Sequence, residues 1–212
     1  KEIKTAFVEL ATNKRFLGFT FVALIFYISW HIDWTIYFIG EVNYLDMNEA
    51  WLSYVNIGAA AVQFVTIRFW SKLNLKKGAR FSIIFGGLGL SIIPVIVNIS
   101  LDMPKTVAKP FFVAMNSLAN FAFATVALNI QLLLLQVLPE KNKTLNISFY
   151  TVLVMLSNAF MPMAGVAIYR LMGADLQAFQ NTYWIIFAMR LTSTILWFLR
   201  WWKLRKEADI LT

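Results

Sequence analysis

Six long apolar stretches, each interrupted by one charged residue at most, leave this chain few folds to adopt. Phe16 to Trp30 is free of charge and continues past His31 and Asp33 to Gly40. Ala50–Ile67, Phe81–Leu101, Pro110–Pro139 and Thr144–Tyr169 are uncharged throughout, and Leu176–Leu199 is broken by Arg190 alone. A run of about 18 apolar residues or more crosses a bilayer as a helix, because helical bonding satisfies every backbone polar group within the segment. The expectation is an all-α polytopic membrane bundle of six transmembrane helices, over about 16–40, 50–70, 79–101, 110–138, 144–169 and 178–202.

Composition narrows the function classes. Hydrophobic residues make up 59% of the 212-residue chain and charged residues only 14%, where a soluble domain carries about half and a quarter. The lipid bilayer is thus the first partner. A net charge of +8 would suit nucleic acid, but the apolar excess argues against that partner. With no cysteine the chain has no disulfide framework, thiolate metal site or thiol nucleophile. One histidine and no clustered carboxylates leave little for enzyme chemistry. No metal, cofactor or catalytic activity is expected.

The charges between the runs orient the bundle. Alternate links carry Lys1, Lys4, Lys14 and Arg15; Arg68, Lys72, Lys76, Lys77 and Arg80; Lys141 and Lys143; and Arg200, Lys203, Arg205 and Lys206. The other links carry only Lys105, Lys109 and Arg170. By the positive-inside rule both termini are cytoplasmic. Residues 1–15 read as a cytoplasmic amphipathic lead-in and 203–212 as a cytoplasmic tail. Pro94 and Pro162 fall within the third and fifth helices, and Gly86, Gly87 and Gly89 form a small-residue patch suited to close helix packing.

Two stretches carry a resemblance. In "SKLNLKKGAR" the residues Lys76, Gly78 and Arg80 match the pattern G-x-x-x-D-[RK]-x-G-[RK]-[RK], while Ser71, Leu75 and Ala79 depart from it. Downstream, "LPE" ends the fourth run, and Pro162 and Gly165 punctuate the fifth. In these features, over essentially its whole length, the chain resembles the C-terminal six-helix half of a major facilitator superfamily transporter. The resemblance implies two inverted three-helix repeats, a small-molecule substrate near the bilayer midplane and alternating access driven by a proton or other coupling ion. It places the first, second, fourth and fifth helices on the cavity and the third and sixth at the periphery. Lys76, Gly78 and Arg80 become a cytoplasmic gating loop. The missing N-terminal six-helix half, or a second copy of this chain, becomes a partner, and the plasma (cell inner) membrane the location. The alternative is a complete six-helix membrane protein acting through homodimer assembly.

Helical period selects candidate site residues. Asn116, Asn120, Ala127 and Gln131 share a face of the fourth helix, and Asn56 and Gln63 a face of the second. Amides in hydrocarbon seek a polar partner, so these serve either substrate contact or helix packing. Arg190 lies about 13 Å into the sixth helix at 1.5 Å per residue and requires a partner or a wet cavity. His31 and Asp33 point to nearly opposite sides, about 200° apart. His31 shares its face with Tyr27, and the resemblance, which puts the first helix on the cavity, implies that both face it. Asp33 shares its face with Trp30 and Tyr37. For proton or ion coupling, His31 ranks first because its reference pKa lies near neutrality, and Asp33 second.

Overall fold

The computed structural model describes residues 11–139 and 141–210, with the side chains of the last helix as far as Arg205. Most of the expected lead-in over 1–15 lies outside the described residues, as does the very end of the tail. The described residues are almost entirely helical and include no strand. The first span comprises α1 (Lys14–His31), α2 (Trp34–Ile39) and a π-helical turn (Gly40–Tyr44). The others are α3 (Glu49–Lys77), α4 (Ala79–Leu101), α5 (Lys105–Val137), α6 (Lys143–Leu171) and α7 (Leu176–Ile210). Six helices are thus long and apolar enough to cross a membrane, and the chain is an integral membrane protein.

Local chemistry sets the helix ends. The Asn13 side chain accepts a hydrogen bond from the Phe16 amide at 3.0 Å and opens α1. Asn48 does the same for Trp51 at 3.2 Å and opens α3. Such caps satisfy amides that have no helical partner. Leu138 turns to an extended conformation, as a residue before proline prefers. The link between the second and third spans is shorter than the charges suggested. Lysine and leucine are good helix formers, so α3 runs to Lys77 and Gly78 alone, at φ 86°, makes the reversal into α4. A left-handed φ strains any side chain with a Cβ, which explains the glycine.

The third span, α4, sits in the middle of the bundle. A Cβ at Gly86 would stand 2.5 Å from Thr125 and 2.6 Å from Val126 on α5, and one at Gly87 would stand 2.7 Å from Thr194 on α7. Here the missing side chains let three helices close together, the reading expected for this patch. Polar ties fasten α3 to α5. The Trp70 indole donates to the Phe121 carbonyl at 2.7 Å, and the Asn74 amide donates to Asn129 at 2.6 Å. The first span packs on α6, where Gly165 lies beneath the Ile32 carbonyl with no room for a Cβ. The Tyr44 and Tyr169 hydroxyls meet at 2.6 Å and pin the π-helical turn to the far end of α6.

Candidate solute cavity

A break in the first span creates the site. Ile32 and Asp33 form a turn between α1 and α2. In an uninterrupted helix the Ser29 carbonyl would accept from the amide of residue 33. Instead it accepts from Arg190 Nε at 3.3 Å. The same guanidinium donates through Nη1 to the Leu90 carbonyl at 3.1 Å and through Nη2 to Asp33 Oδ2 at 2.7 Å. It also lies 4.8 Å from the centre of the Trp30 ring. One cation thereby joins α1, Asp33, α4 and α7. A planar, five-donor fork suits this task better than an ammonium. Both partners are about 95% buried, with side-chain exposures of 5% and 4%. An ion pair so far from water persists only when its remaining donors are satisfied, as the two carbonyls do here.

The pair forms one wall of a cavity of about 670 Å³, within the range that holds a drug-sized molecule. The first span supplies Trp30, Asp33, Trp34, Tyr37, Phe38 and Glu41. Leu52, Val55, Asn56, Ala59, Ala60 and Gln63 of α3 face them, and α5 adds Asn116, Asn120 and Phe123. Ile93 and Arg190 complete the lining. The cavity occupies the half of the bundle farther from the basic loops. Its amides are tied to one another: Gln63 donates to Asn120 Oδ1 at 2.7 Å, Asn120 to the Asn116 carbonyl at 2.8 Å, and the Tyr37 hydroxyl to Asn116 Oδ1 at 2.8 Å. A carboxamide offers two donors and two acceptor lone pairs, so each keeps capacity for a solute.

Of the residues singled out from sequence, Asn56, Gln63, Asn116, Asn120, Asp33 and Arg190 meet in this cavity. Tyr27, His31 and Gln131 do not line it. His31 Nδ1 lies 3.1 Å from Ser157 Oγ on α6, and its ring stacks on Tyr27 with centroids 5.4 Å apart. The break just beyond His31 leaves it facing α6 while Asp33 faces the cavity. Gln131 is exposed and lies more than two turns beyond Phe123 along α5. The expected gating loop is instead a pair of helix ends. Lys76 is exposed on the last turn of α3, Gly78 is the reversal, and Arg80 opens α4 beside Trp201 and Arg205 of α7. Of the helices expected on the cavity, the fifth, α6, supplies none of the lining, whereas the third and sixth, expected at the periphery, supply one residue each, Ile93 and Arg190.

Sequence reasoning missed Glu41, Trp34, Phe38 and Phe123. The stripe Trp30, Asp33, Tyr37 extends by one further step of four to Glu41, which was the available signal. Among the described residues no group of three histidine, cysteine, aspartate or glutamate side chains could hold a metal ion. The chain matches no protein-family model, no curated protein and no solved structure.

Proposed function

We propose that this chain forms one six-helix half of a secondary transporter, of the major facilitator type, that moves a small solute by alternating access. The observation that carries the reading is the cavity between the first span, α3 and α5, where four carboxamides and a buried ion pair converge. A membrane protein has little reason to place carboxamides and an ion pair around a cavity of this size unless a solute enters it, since intramembrane ionisable groups mark solute or ion paths. On this reading the basic helix ends face the cytoplasm in a plasma membrane, and two inverted three-helix repeats build the half. A second six-helix half completes the path. Proton or ion coupling falls to Asp33 in preference to His31, because Asp33 lines the cavity and is held by Arg190.

The test is solute uptake and counterflow by the intact protein in proteoliposomes, across a panel of small solutes. Asn120→Ala and Gln63→Ala should each raise the half-saturating concentration by about tenfold, the value of one lost hydrogen bond of about 1.4 kcal/mol. Saturable flux that ignores both substitutions would refute the cavity as the solute path. Assembly as a homodimer is the second reading. It is favoured by the exposed apolar faces of α3 and α6, where 6% and 11% of the apolar window is buried. A stable dimer with no flux for any solute would decide for it.

A further inference from the structure

Glu41 brings into the cavity a carboxyl group that no described residue answers. Its residue is 7% exposed and lines the cavity. No described residue hydrogen-bonds or ion-pairs with its carboxylate. Arg190 is committed to Asp33 at 2.7 Å. At the same end of the bundle Lys105 and Lys109 reach Asp46, at 3.9 and 3.8 Å. The charged residues of the lining are Asp33, Glu41 and Arg190, so the cavity has a formal net charge of −1.

The backbone places this carboxylate deliberately. The Leu45 amide bonds to the Gly40 carbonyl at 2.9 Å, five residues back, and closes a π-helical turn. Gly40 has no Cβ, and one would stand 2.6 Å from the Phe179 ring. The turn therefore seats flat on α7. One and two turns before Glu41, Phe38 and Trp34 present rings to the same cavity, with Tyr37 beside them. A carboxyl group in a cavity lined by aromatic side chains suits an organic ammonium, which gains from both the charge and the ring quadrupoles.

Resting on the transport reading for its setting, we propose that Glu41 anchors the cationic group of the solute and that the solute is an arylalkylamine, whose aliphatic nitrogen is protonated at neutral pH. The cavity amides then contact its polar remainder. Tryptamine and its neutral isostere tryptophol are the probes, titrated calorimetrically against the intact protein in lipid nanodiscs. The parent should bind tryptamine about tenfold more tightly than tryptophol, and Glu41→Gln should erase that preference while leaving tryptophol binding within about twofold. Equal binding of the two probes by the parent, no binding of either, or a preference that survives Glu41→Gln would each overturn the inference. If Glu41→Gln does not fold, the parent's preference for amine over alcohol decides alone. Tryptamine binding without flux would keep the inference and remove the transport reading. Flux of other solutes without amine binding would do the reverse.

Discussion

The second and third spans are both apolar helices, yet they do opposite work. The apolar stretch of α4 is mostly buried inside the bundle, whereas that of α3 is almost bare. The buried helix gives the cavity one residue, Ile93, whereas the bare one gives it a whole wall, including Asn56 and Gln63. Side-chain size explains the difference. Gly86, Gly87 and Gly89 let α4 approach two neighbours at backbone distance. Phe64 and Val65 on α3 stand 82% and 73% exposed, turned away from the bundle. Hydropathy marks both helices as spans, but packing depends on bulk, because lipid tails are as apolar as a core. The helix that holds the bundle together and the helix that shapes its cavity are therefore distinct.

The hardest test of the packed side is to remove the cation that ties it to the first span. Arg190→Leu strands Asp33 in the interior and should cost about 3–5 kcal/mol. The double variant Arg190→Leu with Asp33→Leu should recover most of that loss. Thermal unfolding in detergent, read by tryptophan fluorescence, measures both. A double variant no more stable than the single one would mean that the guanidinium's bonds to the Ser29 and Leu90 carbonyls matter more than the ion pair.

This pair also shows where sequence reasoning stops. Six spans, the tight glycine patch and the shared face of Trp30, Asp33 and Tyr37 follow from period and composition, which are local. The meeting of Asp33 with Arg190 joins residues 157 apart, and no period links them. Need alone was legible: Arg190 required a partner, but which one depends on how the spans assemble. Glu41 was hidden for another reason. Gly40 reads as a helix end, since glycine is a poor helix former. The chain instead uses the absent Cβ to seat a π-helical turn on Phe179, and so carries the helix to Tyr44. His31 lies off the cavity because the turn at Ile32 and Asp33 leaves it facing Ser157 of α6, and no local period announces that break.

A smaller effect is expected at the glycine patch. Gly86→Val must displace Thr125, Val126 and the Ala122 carbonyl, and overpacking of this kind costs about 1–3 kcal/mol. A neutral result in the same unfolding assay would show that α4 and α5 can slide apart freely. Smallest of all, Phe64→Ala on the bare face of α3 should change stability by about 0.5 kcal/mol or less. A loss of several kcal/mol would reveal a partner covering that face.

A solute path beside α3 requires that the cavity there be open to water. The chain has no cysteine, so single cysteines report without background. Asn120 lines the cavity, as does Ile93, and Ile92, one residue away from Ile93, is 52% exposed on the outer surface of α4. The measurement is the rate at which a water-soluble methanethiosulfonate modifies Asn120→Cys and Ile92→Cys in membranes. Fast modification of Asn120→Cys with Ile92→Cys protected by lipid is the predicted result. Protection of both, or modification of Ile92→Cys alone, would contradict the account.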